Sequence, residues 1–240
     1  ARKLKDQLVT SLGEFVKQAA GAVAAPAFKR TPHTKNPAVF FDPGEVLARF
    51  GEDHDEETYG FEEDTGFYLR LMPRTSLSQP ITRTALRQAF NRGPQMDTLS
   101  KSRDGGGAPV SNRFGAAIVD LRSPTNHTLT AITQAFPSGE LWGFAPWALR
   151  DHGHGNKIVP WGGIERVVRR ALPRYLDYAA RLGVRPPFTI ELGASGLEGR
   201  SLIWTASPDA GLGPYYDNEA AVSVVLNDAS AAALDAALLK

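Results

Sequence analysis

Arg113 to Trp147 reads RFGAAIVDLRSPTNHTLTAITQAFPSGELWGFAPW, and this stretch decides the fold. Phe114–Leu121 and Thr128–Phe136 are rich in β-branched and apolar residues. Glu140–Ala145 follows directly on Pro137-Ser138-Gly139. Ser123-Pro124-Thr125-Asn126 supplies the turn between the first pair, and Pro-Ser-Gly the turn between the second. Three β-prone runs separated by two turns predict an antiparallel meander over residues 114–145. None of its side chains forms a catalytic motif, so the best-defined element is scaffold.

Outward from the meander, Gly66–Met72 alternates as a strand, with Phe67, Leu69 and Leu71 on one side and Tyr68, Arg70 and Met72 on the other. Phe188–Leu192, Ser201–Thr205 and Ala220–Leu226 read as further strands, and Val39–Phe41 as a short one. Helical spacing occurs over Lys3–Ala20, and a capped helix fits Ser78–Gly93. Asp42-Pro43 introduces another helix over Gly44–Phe50, and Ala229–Leu239 is helix-like. The longest helix is expected over residues 163–182, where Ile164, Val167, Val168, Ala171, Leu172, Tyr175, Leu176 and Ala179 fall on one face. Pro173 inside it should kink or split it, because proline removes one backbone donor and crowds the preceding turn. Strands and helices do not alternate, so the fold class is α+β with an antiparallel sheet, not a doubly wound parallel one. Residues 1–37 read as an amphipathic helix and a proline-containing linker, and residues 38–240 as one α+β domain.

The chain has 240 residues, no cysteine and a net charge of +1. The missing cysteines remove disulfides, zinc–thiolate sites and cysteine nucleophiles together, which fits a cytoplasmic protein. The balanced charge provides no global attraction to nucleic acid or to an anionic membrane. No apolar run is long enough to span a bilayer, and the basic start leads into an amphipathic helix instead of a signal sequence. The opening on Ala1 and the stop at Lys240 within a helix-like run suggest a piece of a longer protein.

Several constellations bear on chemistry. Asp151, His152 and His154 form the most metal-like cluster, two histidines at i, i+2 beside an acid. Gly153 and Gly155 make this run a glycine loop, however, and no metal is assigned. Glu52–Asp64 is acidic but lacks the spacing of a calcium loop, and reads as a solvated segment. Gly193-Ala194-Ser195-Gly196-Leu197 follows a strand, but Leu197 occupies the last glycine position of a nucleophile elbow. Asp104-Gly105-Gly106-Gly107 lacks the lysine of a phosphate loop. No cofactor is implied. Arg166, Arg170 and Arg174 recur at i, i+4, i+8 on the long helix and make a ridge that could track phosphates. Trp142, Phe144, Trp147 and Trp161 are expected near one end of the sheet, as core or as a ligand or partner surface.

FYLRLMPR at 67–74, PITRTALRQAF at 80–90, NRFGA at 112–116 and LTAITQAFPSGELWG at 129–143 resemble the C-terminal region of bacterial proteins that begin with an Alba-like, Schlafen-type DNA-binding or ATP-binding domain. The resemblance covers residues 66–147, and the glutamate-rich start of that N-terminal domain is absent from this sequence. It implies an accessory, sensing or interaction role and transfers no catalytic residue. The leading expectation is therefore a non-enzymatic regulatory or protein-interaction domain. Its partner would be another domain or a second copy, met through the N-terminal helix, with no membrane involved. The alternative is a nucleic-acid-associated module using the arginine ridge, and a metal-dependent hydrolase stands further back.

Overall fold

The computed structural model describes residues 46–50, 57–62, 65–92, 96–100, 107, 109–123, 126–149, 158–203 and 214–229. Their strands are β1 (Ala48–Phe50), β2 (Glu57–Tyr59), β3 (Gly66–Pro73), β4 (Val110–Asn112), β5 (Gly115–Ser123), β6 (Asn126–Ala135), β7 (Leu141–Ala145), β8 (Ile158–Pro160), β9 (Phe188–Ser195), β10 (Ser201–Ile203) and β11 (Glu219–Leu226). Two helices join them, α1 (Arg83–Asn91) and α2 (Trp161–Arg181). The expected N-terminal helix, its linker and the run Ala229–Leu239 beyond its first residue lie outside the described residues.

Seven strands form one sheet in the order β11-β9-β3-β7-β6-β5-β4. Every neighbouring pair in it is antiparallel. The meander β5-β6-β7 supplies one side of this sheet, with a register shift near Leu121. β3 and β9, far from it in sequence, build the other. Two small pairs flank the sheet, β1 with β2 antiparallel and β8 with β10 parallel. The class is α+β in broad terms.

Both faces of the sheet are covered. On one, Phe67, Leu69 and Leu71 of β3 pack with Leu86 and Phe90 of α1 and with Val168, Leu172 and Tyr175 of α2. On the other, Tyr68, Ile132, Trp142 and Phe144 meet Leu47, Tyr59 and Phe61 from the β1–β2 region. Burying a Leu or Phe side chain contributes about 1.5–3 kcal/mol, so two cores explain why β3 is buried through Leu71 instead of half-exposed as its alternation suggests. Gly143 shows how tight the helix face is: a Cβ there would lie 2.1 Å from the Tyr175 hydroxyl. That hydroxyl bonds Thr133 at 2.9 Å, tying α2 to β6.

Several local expectations change. Ala48–Phe50 is a strand and not part of a helix, because it pairs with Glu57–Tyr59 inside the acidic stretch expected to be a loop. Val110–Asn112 and Ile158–Pro160 are strands because β5 and β10 offer them ladder partners. α2 begins at Trp161 and runs through Pro173 without splitting. Apolar contacts on both sides of the proline hold it, with Val167, Val168 and Leu172 before and Tyr175, Leu176 and Ala179 after. α1 starts where Thr82 accepts from the Ala85 amide at 3.2 Å, a side-chain N-cap.

Candidate functional site

The four aromatic candidates do not share one surface. Trp142 and Phe144 stand on the face under β1–β2, both fully buried. Phe144 takes the edge of Phe61 at 4.9 Å, and Trp142 packs on Phe136 at 4.7 Å. Trp147 and Trp161 belong to the opposite, helix-covered face. Trp147 donates to the Leu99 carbonyl at 2.7 Å and meets Phe67 edge-on at 5.2 Å. Trp161 helps line an apolar cavity of about 40 Å³ with Ile164, Leu192 and Tyr215. Pockets that take small molecules are typically about 300–1,000 Å³, so this one is far too small.

The arginine ridge is largely tied down. Arg170 and Arg174 both reach Asp97, Nε to Oδ2 at 3.3 and 3.1 Å, and Arg170 also donates to the Ser100 carbonyl at 2.8 Å. Asp97 is buried, so these arginines clamp the segment before β4 onto α2. Arg169 is held by Glu165 at 2.7 Å, and Arg181 by Asp177 at 2.8 Å. Arg166 stays exposed. Asp151, His152 and His154 lie outside the described residues, and among the described residues no group of acids and histidines is placed to hold a metal ion. Ser195 is buried inside β9 instead of on a turn after it.

The sequence alone does not bring out a buried polar cluster inside the sheet. It centres on Arg70, which is 2% exposed in the middle of β3. Register sets Glu191 of β9 beside it on one side and Trp142 of β7 on the other. Arg70 donates to Glu191 at 3.0 Å, and its guanidinium carbon lies 4.6 Å from the Trp142 ring centre. Glu140 faces Arg70 at 3.8 Å and accepts from Trp142 Nε1 at 3.0 Å. Ser223 of β11 donates to Glu191 at 3.3 Å, and Gln134 of β6 sits beyond Trp142. A polar row thus crosses five strands.

Burial raises the Glu140 carboxyl above its ordinary range, against the opposing pull of Trp142 and Arg70. Burial, together with the Glu191 carboxylate, pushes the Tyr68 hydroxyl up. That phenol lies over Gly193, where a Cβ would come within 2.3 Å of it. Asp120, which accepts from Thr98, is also raised, chiefly by burial. Glu140 and Asp120 are enclosed and hydrogen-bonded, to Trp142 and Thr98, whereas the buried Tyr68 hydroxyl has no hydrogen-bond partner among the described residues.

The two edges of the sheet differ sharply. β4 is three residues long, and Asn112 on it donates to the Leu47 carbonyl at 3.0 Å and to Gln134 at 2.7 Å. β11 runs for eight residues in unbroken register with β9, and among the described residues no strand pairs along its outer side. Two large hydrophobic side chains are exposed among the described residues, Val225 at 42% and Tyr216 at 89%, the first on β11 and the second just before it. AAVSVVL is legible in the sequence as a strand, but its position at an edge follows only from the pairing.

No protein-family model, curated protein or solved structure matches this chain. No helix among the described residues is long and apolar enough to cross a membrane.

Proposed function

We propose that this chain is a non-enzymatic interaction domain that takes up its partner by strand addition along β11. The observation that carries this reading is the β11 edge: eight residues, no proline, no lysine, an uninterrupted ladder on one side and, among the described residues, no strand on the other. Unpaired backbone donors and acceptors in a row are a template for another strand, and natural edges are usually shortened, charged or covered. Main-chain bonds then give affinity, while alternate side chains give selectivity. Burial of Trp142 and Phe144 moves the expected contact surface from the aromatic cluster to this edge. The resemblance of residues 66–147 to accessory regions points the same way. The nucleic-acid reading draws less support, since Asp97 engages two of the three ridge arginines.

The test is selection of peptides from a random display library on the full chain. Recovered binders should be extended and alternately apolar, and hydrogen exchange of residues 220–226 should slow when they bind. Peptides that slow exchange elsewhere, or an absence of micromolar binders, overturn the reading. Salt-sensitive DNA or RNA binding lost on Arg166→Glu would favour the nucleic-acid alternative instead.

A further inference from the structure

We propose that the strand accepted by β11 is β11 of a second copy, in an antiparallel pair whose two-fold axis passes through Ser223. This inference rests on the strand-addition reading and names the partner. A two-fold axis normal to the sheet keeps the helix-covered faces of both copies on one side. Directly opposed residues in an antiparallel pair point to the same face. Opposed residues must therefore come from the same face of β11, and the axis must pass through a residue and not between two.

The side chains choose which residue. On β11, Ala220, Val222, Val224 and Leu226 lie level with Ala194, Leu192, Ile190 and Phe188 of β9, toward the helices. Glu219, Ala221, Ser223 and Val225 point to the other face. With the axis at Ser223, Val222 opposes Val224 of the second copy, Ala221 opposes Val225, and each contact occurs twice. Ser223 meets Ser223, and Glu219 meets Asn227. Apolar groups face apolar groups, hydroxyl faces hydroxyl, and no like charges stand opposite one another. Moving the axis to Val222 would set the Glu219 carboxylate against Val225 and Ala221 against Ser223. Moving it to Val224 would set Ser223 against Val225 and Ala221 against Asn227.

The Ser223 register also covers Val225 in both copies and brings Tyr216 beside the far end of the neighbouring β11. These are the two exposed large hydrophobic side chains of the described residues. An isologous contact of this kind closes on itself, so the open edge ends in a dimer and not in a filament.

The chain has no cysteine, which permits a direct test on it. Opposed Cα atoms in such a pair lie about 4.5–5.5 Å apart, inside the disulfide window of about 4.4–6.8 Å. Ser223→Cys should therefore cross-link to a covalent dimer under mild oxidation. Val225→Cys should not, because its counterpart lies four residues along the strand, about 13 Å away. Light scattering should show the unmodified chain as a dimer at micromolar concentration. Ser223→Lys sets two ammonium groups face to face and should raise the dissociation constant about tenfold or more. Ser223 is exposed, so this variant should keep the fold. Equal cross-linking of the two cysteine variants, or a dimer indifferent to Ser223→Lys, overturns the inference. A monomer at every concentration overturns it too. If that monomer still binds selected peptides on β11, strand addition stands and only the second copy is rejected; if it binds none, both fall.

Discussion

The β4 edge and the β11 edge close the same sheet by opposite means. β4 is short and is pinned to the neighbouring layer through Asn112, Leu47 and Gln134. Gln134 extends the clasp by donating to the Ala116 and Ala135 carbonyls at 3.1 and 3.0 Å. β11 is long and unbroken in register, and among the described residues it rests on one neighbour, β9. Strand propensity points the same way, since β4 is Val-Ser-Asn, with an asparagine that strands disfavour, whereas β11 carries three valines and a leucine. The difference is that a side-chain amide clasp ties one edge strand to the neighbouring layer, whereas among the described residues no such clasp holds the outer side of the other. β11 is nevertheless well founded, because β9, its strand neighbour among the described residues, is locked to the centre of the sheet by the Arg70–Glu191 pair.

That lock sets the largest expected effect. Glu191→Ala removes the acceptor of a buried guanidinium whose Nε and Nη2 have no hydrogen-bond acceptor within reach. Breaking a buried pair from one side costs about 3–5 kcal/mol, and some solvent access at Glu191 points to the lower end of that range. Urea unfolding should show it as a lower midpoint with an unchanged slope. Combining Glu191→Leu with Arg70→Met should recover part of the loss, since the buried guanidinium is then gone, while Glu140 loses its counter-charge and keeps only its Trp142 bond. A single-substitution loss under about 1 kcal/mol would mean the row does not anchor β9.

On the guarded edge the effect is smaller. Asn112→Ala deletes the bonds to Leu47 and Gln134 and leaves the Phe114 amide without its 3.0 Å acceptor. Losing these bonds at a half-buried site should cost about 2 kcal/mol, read as a lower urea midpoint. The comparison of edges adds a second outcome: with its clasp gone, β4 should lose protection in hydrogen exchange before β6 does. If β4 and β6 lose protection together, the clasp is not what closes that edge.

Much of this architecture is legible in the sequence, for physical reasons that also mark the limit. The meander is visible because β-branched runs and turn residues are local signals, and α2 because its apolar face repeats over many turns. Arg70 shows the limit. In GFYLRLMP it sits where a solvated face would place it, and only pairing with β7 and β9 reveals that both faces are buried. Arg170 and Arg174 look like a free ridge because Asp97 lies more than 70 residues earlier in the chain. β1, β4 and β8 are too short for periodicity to register; long-range ladders make them strands. The openness of β11 is a fact about sheet order, and no local pattern contains it.

The polar row should also leave a mark on the pH dependence of stability. In the unfolded chain Glu140 returns to the ordinary carboxylate range, whereas burial raises it in the folded state. Between those two values the folded protein binds more protons than the unfolded one. Stability therefore increases as pH falls through that window and is lost as pH rises through it. Glu140→Gln should flatten this slope while keeping an acceptor for Trp142. Asp120, raised in the same direction, leaves a residual slope. Thermal unfolding from neutral pH down to the carboxylate range measures it. An unchanged slope would place the cost of burial elsewhere.

Val225→Lys should have the smallest effect on the isolated chain. Val225 faces away from the helices, opposite Thr189, with 42% of its surface exposed. A lysine there can lay its stem along the sheet and keep its ammonium in water, so unfolding of the dilute, monomeric protein should shift by no more than about 0.5 kcal/mol. Lysine on an edge strand is also a natural way of refusing a neighbour, so the same variant should lose strand addition while keeping its fold. That separation of stability from binding is what an edge kept open for a partner requires. A stability loss of about 2 kcal/mol or more would show that Val225 is packed in the free molecule, and β11 would then be as closed as β4.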